Sequence, residues 1–277
     1  SSPTFDPSLF LYGISSEEWN NIKKNPLKPL TNKTISGLYS PGSTIKPLVA
    51  LSALENNIIN TNFKVKCTGK MEMYGQTYHC WKKKGHGFMS MRNAIKQSCD
   101  TYFYEIARRL GVDRLSITAK KFGLGDLVLD GIFLNEKKGL VPTTKWKRDN
   151  LEKGWVLGET LITGIGQGYI QTTPIQLCLM TAQLANGGFK INPKIIVDNN
   201  QNTLDEIKFQ MAENAKKDKN ILSNLEVVED LFNIKKNDYQ KLYEKSENIK
   251  IVLDAMFGST NETWGTSYSS RIEDPKY

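Results

Sequence analysis

The run PLVALSALE, residues 47–55, is apolar at almost every position and carries no polar face to give to water. A helix of that kind must be enclosed on all sides, so the chain has to build its other elements around it. Pro47 is compatible with the start of such a helix, because the first amides have no intrahelical partner to lose. The segment in front of it reads SPGST, and places Ser43 three residues ahead of Lys46. At about 3.6 residues per turn both side chains project from one face. One reading makes Ser43 an N-cap and Lys46 a solvated lysine. The other makes them a hydroxyl nucleophile and an amine that takes its proton.

Composition narrows the setting. With 277 residues, 39% of them hydrophobic and 24% charged, the chain is long enough for a real core and reads as globular. No stretch approaches the ~20 apolar residues of a membrane-spanning helix, and the N-terminus SSPTFDPSLF lacks a signal-peptide pattern, so any membrane anchor is expected outside this sequence. The formal charge of +8 suits an anionic partner or a negatively charged membrane surface. The lysines are scattered and match no base-reading or stacking module, so no nucleic acid partner is expected, and WKKKGHG reads as a solvated loop.

Along the chain, SSEEWNNIKKN predicts a short helix opened by Ser15 or Ser16. FKVKCTGKMEMYGQTYHCW, residues 63–81, predicts a small hairpin or loop excursion. Ser90 is expected to cap MRNAIKQ, Gly111 to end TYFYEIARRL, and Asp113 to cap RLSITAKKFG. Thr173 and Pro174 open IQLCLMTAQLANGG, closed at Gly187. The glycines of GIGQGY are a weak dinucleotide signal, since no clear strand and acidic partner frame them. Residues 197–250, rich in Asn, Lys and Glu, predict a variable surface excursion, followed by the apolar helix KIVLDAMFG.

Taken in order, SPGSTIKP (40–47), GHGFMSMRNAIKQSCDTYFYEIARRLG (85–111), FGLG (122–125), EKKGLVPTTKWK (136–147) and GETLITGIGQGYIQTTPIQL (158–177) resemble the transpeptidase domain of class B penicillin-binding proteins, elongation type. The resemblance implies an α+β fold, with a helical subdomain packed on an α/β subdomain that carries an antiparallel sheet, spanning residues 1–277. It also implies that Ser43 is the nucleophile, Lys46 its base, and Ser98 and Asp100 the second motif, in which aspartate stands where the wider family has asparagine. Ser98 then passes protons between Lys46 and the leaving amine. Without the resemblance, SCD reads as a turn between helices with Asp100 as an N-cap. The family's third motif, Lys-Thr-Gly or Lys-Ser-Gly, occurs nowhere in the sequence. GTSYSSRIEDPKY resembles the run-up to that strand, so a C-terminally incomplete domain, inactive alone, is expected.

Cys67, Cys80 and Cys99 fall within 33 residues of one another, with His79 and His86 between them. The spacing leaves two readings open: a Cys67–Cys80 disulfide, or a metal site. Some relatives of the elongation type hold zinc at matching positions, which implies Cys67, Cys80, His86 and Cys99 as ligands of a structural ion. Cys178 reads as core.

The function so implied is peptidoglycan D,D-transpeptidation through a serine acyl-enzyme, with β-lactams as alternative acyl donors. Expected partners are stem peptides and cell-wall elongation proteins including a glycosyltransferase, with the domain facing the periplasm from the bacterial inner membrane. Two alternatives share part of the pattern. One is a D,D-carboxypeptidase or β-lactamase that hydrolyses the acyl-enzyme, although no E-x-x-x-N stretch is placed as its deacylating base; the other is a non-catalytic β-lactam sensor or zinc-organised interaction module.

Overall fold

The computed structural model describes residues 2–129, 133–193 and 240–272. Its helices in chain order are α1 (Ser16–Lys24), α2 (Lys33–Ser36), α3 (Lys46–Glu55), α4 (Met91–Lys96) and α5 (Asp100–Leu110). They continue with α6 (Val112–Lys121), α7 (Thr144–Leu151), α8 (Leu157–Thr163), α9 (Pro174–Ala185) and α10 (Ser246–Asn261). Strands β1 (Lys64–Cys67), β2 (Lys70–Met73), β3 (Gln76–His79) and β4 (Gly87–Ser90) lie between α3 and α4.

The all-round apolar run is indeed central. In α3, Leu48, Val49, Ala50, Leu51 and Ala53 have no exposed surface, and the helix packs against α5, α6 and α10. Each fully buried Leu or Val contributes about 1.5–3 kcal/mol relative to exposure, which makes α3 the helix the rest of the domain is built on. The polar Ser52 within it is satisfied by the Thr118 hydroxyl of α6 at 2.8 Å.

Caps form where their residue types predict them. Ser15 opens α1 with a capping box to Glu18, Ser90 caps α4, and Thr173 with Pro174 and Gln176 opens α9. Residues 63–90 hold two antiparallel pairs, β1 with β4 and β2 with β3, consistent with the α+β class. The β2–β3 turn at Tyr74–Gly75 has positive φ at both residues, the geometry that matches strand twist in a two-residue hairpin.

Three expectations are corrected. Asp113 does not cap α6: Gly111 ends α5 and α6 restarts at Val112, leaving Asp113 inside the first turn. Its carboxylate accepts instead from the backbone and hydroxyl of Thr144, at 2.9 and 2.7 Å, and so caps α7 from a neighbouring helix. Cys178 is exposed rather than core, because α9 buries Gln176, Leu179, Met180 and Gln183 on its other side. Of the expected excursion, residues 197–239 lie outside the described residues, but 240–250 belong to the body. Leu242 and Ile249 are buried there, and the Glu55 carboxylate at the end of α3 accepts from the backbone of Glu244 and Lys245 and the amide of Asn248. The run that begins GTSYSS is described as far as Ile272.

Candidate active site and cysteine cluster

Ser43 lies in the 3-10 turn Gly42–Ile45 that feeds α3, and its carbonyl accepts from the Lys46 backbone N–H. The N-cap reading fails: the Ser43 side chain is exposed and has no hydrogen-bond partner among the described residues, while Thr44 bonds the Pro41 carbonyl at 2.7 Å. The turn is seated on the glycine-rich segment. The Gly42 N–H donates to the Gly166 carbonyl at 2.9 Å, and a Cβ on Gly166 would stand 2.1 Å from the Gly42 oxygen. Close backbone approach, not phosphate binding, explains the glycines of GIGQGY.

Lys46 is 2% exposed and fully engaged. Its ammonium donates to Asp100 Oδ1 at 2.6 Å, Ser98 Oγ at 2.9 Å and the Ser98 carbonyl at 3.0 Å, and lies 5.4 Å from the centre of the Phe103 ring. Three acceptors match the three N–H groups of an ammonium, so the buried charge is compensated. The side-by-side hydroxyl and amine expected from the spacing are thus joined by two further groups, and Lys46 bonds those two groups instead of the Ser43 side chain.

Ser98 owes its position to the end of α4. Its N–H donates to the Ile95 carbonyl at 3.1 Å and the Cys99 N–H to the Ala94 carbonyl at 2.9 Å, the two bonds of a Schellman motif, with Ser98 at φ +51° where glycine is usual. α5 begins immediately afterwards, with Cys99 at its N-cap position making no side-chain cap bond. Asp100 is therefore not the cap. Its Oδ1 holds Lys46, and its Oδ2 accepts from the Trp81 backbone N–H at 2.9 Å.

Trp81 is the residue the sequence reading overlooked. Its indole Nε1–H points at the Gln97 and Ser98 carbonyls, 3.1 and 3.0 Å away, and its ring meets His86 edge-to-face at 5.3 Å. The sequence offers only its place between Cys80 and the lysine run of WKKKGHG, which reads as a solvated loop.

Cys67, Cys80, His86 and Cys99 converge behind this turn, their ligand atoms all within 4.8 Å of one another; His79 is not among them. None of the four cysteines is in a disulfide, so Cys67 and Cys80 are not linked to each other. Cys67 and Cys80 place Sγ at 3.6 and 3.5 Å from His86 Nδ1. A tetrahedral zinc with Zn–S near 2.3 Å and Zn–N near 2.0 Å needs about 3.6 Å along that edge, so the donor set and these spacings fit the ion. The Cys80 thiol is pulled down to about 3 by the hydrogen bond from Cys99, with backbone N–H groups of residues 82, 101 and 100 adding to it; the same bond and burial push Cys99 upward. One thiolate is thus already favoured by the protein alone.

The penicillin binding protein transpeptidase domain model matches residues 1–277. The chain belongs to this family. Within it, the chain is 40% identical over 200 residues to the peptidoglycan D,D-transpeptidase MrdA of Escherichia coli (strain K12), covering 71% of this chain and 31% of that protein. It therefore spans about a third of that curated relative. Among solved structures, Pseudomonas aeruginosa PBP2 in complex with WCK 5153 matches with a TM-score of 0.77 and 33% identity, over 97% of this chain and 55% of that one. PBP2 from Helicobacter pylori in complex with MreC gives 0.79 and 28%, over 98% and 44%. The domain is thus of the PBP2/MrdA type, and the penicillin-binding protein fold brings its first two motifs together through Lys46. Among the described residues no helix is long and apolar enough to cross a membrane.

Proposed function

We propose that this domain is the acyl-transfer half of a cell-wall cross-linking enzyme, a serine D,D-transpeptidase. The observation that carries the reading is the Lys46 ammonium held between Ser98 and Asp100 one turn beyond an unengaged Ser43 hydroxyl. Ser43 Oγ attacks the carbonyl of the penultimate D-alanine of a stem peptide. The ester C–O bond forms and the amide C–N bond breaks. To take the Ser43 proton Lys46 first gives one up, and Ser98 Oγ and the Asp100 carboxylate are the side-chain groups within its reach. Ser98 delivers a proton to the departing D-alanine nitrogen. An amine from a neighbouring strand then attacks the ester, restoring the Ser43 hydroxyl. A β-lactam offers the same kind of carbonyl in a strained amide and acylates the same oxygen.

The four clustered side chains, Cys67, Cys80, His86 and Cys99, would hold one structural zinc, with no open position for water. Such an ion would supply rigidity to the Cys99 turn and take no part in proton or acyl transfer, which belong to Ser43, Lys46, Ser98 and Asp100. By analogy with the relatives, the domain would face the periplasm from an inner-membrane anchor and work beside cell-wall elongation proteins such as a glycosyltransferase and an MreC-like partner.

The test uses a form extended through the family's Lys-Thr-Gly strand and a fluorescent penicillin. Ser43→Ala should abolish covalent labelling, and Lys46→Ala should slow it by about 100-fold or more, the range of a positioned base. Full labelling of the Ser43→Ala protein would remove the assignment.

A further inference from the structure

The lysines of residues 63–90 are not explained by acyl transfer. This segment holds six lysines against one acid, a formal +5 out of the chain's +8. The acid, Glu72, is taken by Lys70 at 2.6 Å. Among the described residues no carboxylate is within ion-pair reach of Lys64, Lys66, Lys82, Lys83 or Lys84. Some lysines elsewhere on the surface have a carboxylate partner among the described residues, as Lys121, Lys138 and Lys145 do, and others, such as Lys23, Lys24 and Lys153, do not; what sets residues 63–90 apart is that five such lysines fall in one short segment.

The strand register puts Lys64 and Lys66 on one side of the sheet. Lys64 pairs with Ser90 and Lys66 with Phe88, and directly opposed residues share a sheet face. Cys67 and Met89 take the other face and are 2% exposed. Phe88 is 72% exposed in mid-strand, with the Lys66 ammonium 5.8 Å from its ring centre. The loop carrying Lys82–Lys84 is pressed onto the end of β1: a Cβ on Gly69 would meet the Lys83 carbonyl at 2.1 Å, and one on Gly85 the Cys67 carbonyl at 2.3 Å. That loop leaves directly from Trp81, which bonds both Ser98 and Asp100.

We infer that the outer face of β1–β4 and the adjoining Lys82–Lys84 loop form a docking strip for a carboxylate-bearing glycan strand, leading it toward the catalytic turn. Uncompensated lysines attract carboxylates, and an exposed aromatic ring offers an apolar surface to the C–H face of a sugar. A bilayer would also suit lysines and aromatics. The strip, however, begins at the residue bonded to Ser98 and Asp100, and that turn must be reached by a polymer strand, whereas a flat membrane would cover it. The inference rests on the transpeptidase reading above, and deepens it by naming where the anionic polymer is held.

The experiment is cosedimentation of the 277-residue chain with purified peptidoglycan sacculi, which needs no turnover. Binding should weaken as salt is raised. Lys66→Glu/Lys83→Glu/Lys84→Glu should reduce the bound fraction by at least about tenfold while circular dichroism and Tm stay native-like. A control with the same charge change on exposed lysines elsewhere, Lys23→Glu/Lys24→Glu/Lys153→Glu, should bind like the parent, and sacculi with amidated carboxylates should lose the chain. Equal loss in the control, or unchanged binding to amidated sacculi, overturns the inference. Tighter binding of the chain to phosphatidylglycerol vesicles through the same three lysines overturns it in favour of a membrane. Penicillin labelling of the unmutated extended domain reports separately on the reading beneath: sacculi binding without labelling breaks that reading, and labelling without lysine-dependent sacculi binding breaks this one.

Discussion

Ser98 shows a trade between stability and chemistry within one residue. A non-glycine residue at φ +51° costs about 1–2 kcal/mol in steric strain, and the position it fills is one where glycine is usual. Its side chain repays this by reaching Lys46 at 2.9 Å. Ser98→Gly and Ser98→Ala lose the hydroxyl alike, but only glycine relieves the backbone. We therefore expect Ser98→Gly to be more stable than Ser98→Ala by about 1 kcal/mol in chemical denaturation, with acylation of Ser43 slowed by about 100-fold or more in both. Equal stabilities would show that the turn carries no strain. The residue types of SCD were legible in the sequence, but this conformation was not: serine seldom adopts a left-handed backbone, and only the closing bonds to Ala94 and Ile95 reveal it. The same holds for Trp81, whose role depends on where a loop lands and not on any spacing.

Elements were read best where one residue type dictates one outcome. An apolar run with no polar face had to be the centre, and Thr-Pro and Ser caps fixed the starts of α9 and α4. Asp113 and residues 240–250 were misread because their partners, Thr144 and Glu55, are supplied by elements distant in sequence. The docking of α10 onto α4 was equally invisible. There Arg92 bonds Asp254 and Glu262, with Nε–Oδ2 and Nη2–Oε1 both at 2.5 Å, and Lys96 bonds Glu262 at 2.6 Å. The hydrogen bond from Arg92, then that from Lys96, holds the Glu262 carboxyl down to about 2 from 4.5. A carboxyl depressed in the folded state stabilises above its unfolded pKa, and that contribution is lost as pH falls through the folded one. Because Arg92 and Glu262 each keep about a third of their side-chain surface in solvent, screening keeps the weight of the pair modest. Glu262→Gln should lower Tm by about 2–4 °C at pH 7, and the deficit should close between about pH 4.5 and pH 2. A deficit independent of pH would assign the effect to packing.

At the scale of the whole molecule, the cysteine cluster and the catalytic turn are one structure. Cys99 stands between Ser98 and Asp100, and Cys80 immediately precedes Trp81, so two of the four clustered residues are covalent neighbours of the groups that bond Lys46 or hold its partners. The sequence made the cluster legible through its residue types, while the link through Trp81 emerged only when β1, β4 and the ends of α4 and α5 met. If a metal held there fixes this turn, its loss displaces Ser98 and Asp100 relative to Lys46, and a shift of about 1 Å can cost on the order of 100-fold in rate. Protein purified without added metal should then contain close to one zinc per chain, and a strong chelator should lower Tm, since binding energy at a structural site is folding energy. In the extended domain, His86→Ala should slow penicillin acylation of Ser43 by at least about tenfold at temperatures well below its Tm. Trp81→Phe, which keeps the four clustered side chains and the Trp81 backbone N–H but removes the indole N–H and part of the ring, should slow acylation in the same direction without changing zinc content. If His86→Ala lowers Tm but acylates at the parent rate per folded molecule, the cluster merely pins the strand excursion. If Trp81→Phe also acylates at the parent rate, the turn does not need the indole N–H to hold its place.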